Sequence, residues 1–89
     1  MDLDRDTIKK QLRDEGFNTV FVWSDAPGAQ YPEHTHPGET AHVVLDGEIT
    51  IHDANGTQTY RTGDRFDVPP DAAHSASVGP QGCTFVVGE

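Results

Sequence analysis

The chain has 89 residues, six of them basic and fifteen acidic, for a net charge of −9. That balance argues against nucleic acid and anionic membranes as partners, because both demand a basic patch, and no apolar run approaches the ~20 residues of a membrane span. The one cysteine, Cys83, rules out an intramolecular disulfide. The polar opening MDLDRD lacks the apolar core of a secretory signal, so a reducing cytoplasm is the expected compartment. One small domain without covalent staples is expected to lean on a bound metal or a second copy of itself for stability.

Residues 4–15 read as a helix. Asp4 or Asp6 can cap it, Ile8 and Leu12 share one face at i, i+4, and Gly16 can end it in a left-handed conformation. Its apolar stripe is thin, so residues 1–16 are expected to pack on the outside of something larger, built from residues 17–89. From Phe17 onward, short β-type runs alternate with turn signals. Residues 17–23 are rich in β-branched and aromatic side chains, and Asp25-Ala26-Pro27-Gly28 breaks that run. Residues 40–45 and 48–52 flank Asp46-Gly47, a dipeptide favoured in two-residue hairpins. Further turns are expected at Asn55-Gly56, Thr62-Gly63-Asp64, Pro69-Pro70-Asp71 and Pro80-Gln81-Gly82. Such closely spaced turns predict an all-β fold, a single antiparallel barrel or sandwich with one N-terminal helix. Cys83 opens an apolar run to Val87 that reads as a last core strand rather than as a reactive thiol.

The chemistry concentrates in residues 28–47. His34 and His36 are two apart, so in an extended strand they face the same side at roughly 6–7 Å. Two imidazoles so placed can converge on one metal ion. If the alternation persists, Thr40, His42 and Val44 share their face, and Glu39, Ala41 and Val43 face away. A bulge at Pro37-Gly38 could instead reset the phase and swing Glu39 inward. His74, behind the Pro-Pro-Asp turn, is the third distant candidate. His52 follows the second run near a turn and is expected to be structural or exposed.

These residues resemble the two motifs of the cupin family. In the first motif, Gly28, His34, His36 and Gly47 fall in register. In the second, Gly63, Pro69 and His74 do, with Asp71 at a glycine position and Val78 at an asparagine position. The resemblance implies a double-stranded β-helix, a cupin jelly-roll barrel with one N-terminal α-helix, holding one divalent transition metal (Fe, Mn, Zn or Ni) on His34, His36 and His74. The family's glutamate falls on Thr40, which leaves the fourth ligand open between His42 and Glu39. Whichever of those two does not bind is the candidate general base. Tyr31, Trp23, Phe66 and Arg65 are candidates for the mouth of the barrel. The resemblance implies a metal-binding protein for a small oxygen-rich molecule, as an enzyme of dioxygenase, isomerase or lyase type or as a non-catalytic binding or sensing domain. A homodimer is expected, since edge strands need cover.

Overall fold

The structure is a computed structural model that describes residues 4–89. One helix, α1 (Arg5–Asp14), precedes six strands: β1 (Val20–Asp25), β2 (Gln30–His34), β3 (Thr40–Asp53), β4 (Gly56–Arg61), β5 (Arg65–Val68) and β6 (His74–Gly88). All pair antiparallel in the order β1-β6-β3-β4, with β2 added on β6 and β5 on β3. The architecture is a double-stranded β-helix with one helix outside it.

The helix begins where its cap dictates. Asp4 accepts from the Asp6 N–H at 3.1 Å and from the Thr7 hydroxyl at 2.7 Å, which satisfies an orphan amide of the first turn. Leu12 is its one buried residue and packs with Ala41 and Val86, flanked by Ile8, Phe17, Val20, Val22 and Leu45. Burying one leucine side chain in this way stabilises by about 2–3 kcal/mol. Arg65, one of the candidates for the mouth of the barrel, lies elsewhere. Its guanidinium donates to Glu15 at 2.7 and 2.8 Å and to Asp67 at 2.8 Å, tying the end of the helix to β5. Glu15 is held below the usual carboxylate range by that guanidinium.

Two expected turns are not reversals. Asp46-Gly47 and Pro80-Gln81-Gly82 lie inside β3 and β6, which run unbroken for 14 and 15 residues. The pairing of these strands shifts register between Val44 and Asp46 and again between Gly47 and Ile49, so the glycines mark bulges at which the strands bend. Gly47 and Gly82 have φ of 79° and 80°. A Cβ on Gly47 would overlap the Gly82 carbonyl, and one on Gly82 would lie 2.7 Å from the Asp25 carbonyl oxygen. The bend divides each long strand between partners: the first part of β3 pairs with β5, the second with β4. It also flips the facing. Thr40, His42 and Val44 look inward before it, whereas Ile49 and Ile51 do so after it.

The main core gathers Val44, Ile49, Ile51, Phe66, Val68, Ala76, Val78, Cys83, Phe85 and Val87. Cys83 is part of this core, and burial pushes its thiol up to about 11, so it is not a nucleophile at neutral pH. Asn55-Gly56 does close a hairpin: Asp53 opposes Gly56, and the Asn55 N–H donates to the Asp53 carboxylate at 2.8 Å. Asp71 takes the left-handed conformation (φ 61°) in its turn. Glycine adopts that conformation freely and aspartate tolerates it, which accounts for an aspartate at the motif's glycine position.

Candidate metal centre

His34 ends β2 and His74 opens β6, and the two are direct cross-strand partners. Each ring nitrogen Nδ1 lies against the carbonyl two residues back, Pro32 at 2.8 Å for His34 and Ala72 at 3.1 Å for His74. A carbonyl only accepts, so both Nδ1 atoms carry the proton and both Nε2 atoms keep a free lone pair. His36 lies just past the end of β2. The Asp71 N–H donates to its carbonyl at 2.8 Å, which anchors the His36 segment to the turn that delivers His74. The ring centroids are 4.2 Å apart for His34–His74, 4.9 Å for His34–His36 and 5.3 Å for His36–His74. Burial and the two neighbouring rings lower the pKa of His36, which favours the neutral ligand form.

One nitrogen from each of these three residues lies within 4.8 Å of the others. Zinc–imidazole bonds of about 2.0–2.1 Å require only small ring movements from that spacing. The donor set fits a divalent transition metal: three imidazoles, two of them with the ligating nitrogen preset by a backbone bond.

The cluster opens on a cavity of about 240 Å³, lined among others by Phe21, Trp23, Tyr31, Phe66, Phe85 and Val87. Trp23 is half-exposed. The Trp23 indole N–H (2.9 Å) and the Tyr31 hydroxyl both donate to one carboxylate oxygen of Asp25, which fixes two aromatic walls. Burial and that carboxylate raise the pKa of Tyr31. Trp23, Tyr31 and Phe66 thus stand where the mouth was expected.

The remaining candidates divide. Glu39 is exposed and falls outside the three-histidine group. It sits beyond the Pro37-Gly38 bend, on the opposite parity from Thr40. His42 lines the same cavity but is not in the group. Its ring stacks on Phe66, 4.4 Å between centroids and 7° from parallel. His52 is exposed on the outer side, with its Nδ1 2.8 Å from the Thr57 hydroxyl. Phe21, Phe85 and Glu89 also line the cavity and were not singled out from sequence. For Phe85 the signal was available, since it alternates with Cys83 and Val87 on the last core strand.

Burial depresses His42 from the ordinary 6.5 to about 4. The unfolded chain therefore takes up this proton first as pH falls. His42's contribution to stability is whole above pH 6.5 and is lost as pH drops to about 4. At about 1.36 kcal/mol per tenfold difference, the loss is of order 3 kcal/mol. Urea unfolding of the wild type and His42→Gln between pH 7 and 4 checks this. The wild type is expected to lose more stability on acidification, and parallel curves would contradict the account.

The family model described as "Cupin domain" matches residues 21–87. The chain belongs to the cupin family. Among solved structures, it is similar to an RmlC-like cupin from Shewanella frigidimarina, with 25% identity and a TM-score of 0.68 over 78% of this chain and 61% of that one. It is also similar to an uncharacterized conserved protein with a double-stranded β-helix domain from Klebsiella pneumoniae, with 32% identity and a TM-score of 0.64 over 76% and 62%. The chain thus spans about three fifths of the length of both. The DMSP lyase DddQ from Ruegeria pomeroyi shares the fold at 23% identity and a TM-score of 0.69, over 76% of this chain and 35% of the lyase. No curated protein matches the sequence. No helix among the described residues is long and apolar enough to cross a membrane.

Proposed function

We propose that this cupin holds one divalent transition metal on His34, His36 and His74 and uses it to bind and activate a small oxygen-bearing molecule in the adjoining cavity. The observation that carries this reading is the convergence of three imidazole nitrogens within 4.8 Å at the wall of an aromatic-lined cavity. An all-nitrogen set suits zinc, iron or nickel better than manganese, which prefers carboxylates. When bound, the metal supplies a Lewis acid to an oxygen of the ligand.

The chain's own residues do the rest. The Pro32 and Ala72 carbonyls hold two of the imidazoles in their ligating tautomer. Phe21, Phe66 and Phe85 keep water from the inner wall. Isomerisation or elimination needs a group that moves a proton within reach of the ligand. Tyr31, whose hydroxyl donates to Asp25, and the neutral His42 are candidates facing the cavity.

The test is a thermal-shift panel of small hydroxy acids, oxo acids, diols and sugars on zinc- or iron-loaded protein and on chelator-treated protein. At a ligand concentration of 100 times Kd, stabilisation of about 2.7 kcal/mol is expected for the loaded form alone. Equal stabilisation of both forms would instead favour a metal-independent binding barrel.

A further inference from the structure

We propose that the mouth of the cavity receives the positive end of a small organic cation, held by the rings of Trp23 and Tyr31 with the Asp25 carboxylate behind them. The assignment deepens the preceding reading: it rests on the same cavity, but not on the metal.

Trp23 is the protein's only tryptophan and, at 50%, the one exposed large apolar side chain among the described residues. Trp23 and Tyr31 both line the cavity, and each commits its single donor to the same oxygen of Asp25. An indole has no acceptor, and a phenol whose proton is committed can only accept. Glu89 also lines the cavity and is exposed. Its backbone exchanges two hydrogen bonds with Thr19, at 2.9 and 3.0 Å, which fix its position. These three side chains therefore offer two aromatic rings and acceptors, but no spare donor. A carboxylate or carbonyl end finds no partner among them, whereas a cation does.

The second oxygen of Asp25 strengthens the case. It is buried without a hydrogen-bond partner, and Asp25 is not among the residues lining the cavity. The carboxylate thus cannot touch a ligand, but it lies directly behind the two rings that can. A buried charge without a cationic partner is costly, and a cation on the outer side of the rings lowers that cost. Donation to a carboxylate also raises the electron density of the rings, and electron-rich aromatic faces attract ammonium groups within about 6 Å of the centroid.

No basic side chain competes for this place. Four of the six lie on α1, and Arg61 and Arg65 face Glu48 and Glu15. None of them lines the cavity. The net charge of −9 draws cations toward the protein and turns anions away. At about 240 Å³ the cavity is below the roughly 300–1,000 Å³ of sites for drug-sized ligands, which limits the molecule to a few carbons.

The test follows the emission of Trp23 while the chelator-treated full chain is titrated with choline and, separately, with 3,3-dimethylbutan-1-ol, its neutral carbon isostere. Choline is expected to give a saturable change and to bind at least about tenfold more tightly than the isostere. Asp25→Asn keeps the acceptor oxygen but removes the charge. It is expected to weaken choline by about tenfold and to leave the isostere unchanged. Should Asp25→Asn not fold, Tyr31→Leu decides, with an expected loss for choline at least about fivefold greater than for the isostere. Equal affinities for the two probes, or no response of Trp23 to choline, would overturn the proposal. So would an equal loss for both probes in the variant. Because the titration needs no metal, failure of the histidines to bind zinc would remove the metal reading and leave this one standing.

Discussion

His74→Ala is expected to weaken zinc binding by more than about 100-fold while leaving the barrel folded. Loss of a hydrogen bond that merely supports a ligand costs 10–100-fold in metal affinity, and loss of the ligand itself must exceed that. His74 is the nearest ring to His34, at 4.2 Å, and it sits across the strand pair from that residue. It is buried at the start of β6, so its truncation also leaves a small cavity and loses the bond to Ala72, at a cost to the fold of about 1–3 kcal/mol. Competition against a chelator of known affinity reads the metal effect, and circular dichroism checks the fold. An affinity within tenfold of the wild type would contradict the assignment of His74.

Gly47→Ala is expected to destabilise the fold by about 4 kcal/mol or more, a large share of the 5–15 kcal/mol that domains possess. Two penalties coincide there. The φ of 79° costs an L-residue about 1–2 kcal/mol, and the new Cβ would overlap the Gly82 carbonyl, which is backbone and cannot rotate away. Relief requires parting β3 from β6, the pairing on which the whole barrel is built. Gly28→Ala is the control. Its φ is 72°, but nothing lies within 4 Å of the added atom, so only the conformational cost of about 1–2 kcal/mol applies. Urea denaturation of both variants separates the penalties. Equal losses would show that the close crossing of β3 and β6 carries no weight.

The Gly47 case also shows how far the sequence could be read. Asp-Gly reports a positive φ, and a hairpin is only one use of it. The other use, a bulge that lets two backbones approach, depends on Gly82, which lies opposite in space and distant in sequence. The role of Arg65 was illegible for the same reason: its partner Glu15 is 50 residues away. The Asp25–Tyr31–Trp23 cluster was overlooked because nothing in the local pattern ties a carboxylate in a broken run to two aromatics. The legible features were those set by short spacing. The helix with its Asp4 cap was one, and the His-x-His pair and the Pro-turn-His segment were two more. Period two along residues 34–42 was legible as well, since His34, His36, Thr40 and His42 all line one cavity. Parity says which side a residue faces. It could not say that His42 would stack on Phe66, because Phe66 comes from the neighbouring strand β5.

The most direct test of the metal centre is a zinc titration of the metal-free chain followed by nitrogen-15 spectra of the histidine rings. Saturation at one zinc per chain, with ring-nitrogen signals of His34, His36 and His74 moving together and His52 unmoved, is the predicted result. Zinc uptake that leaves those three signals in place, or no uptake at all, would contradict the three-histidine centre.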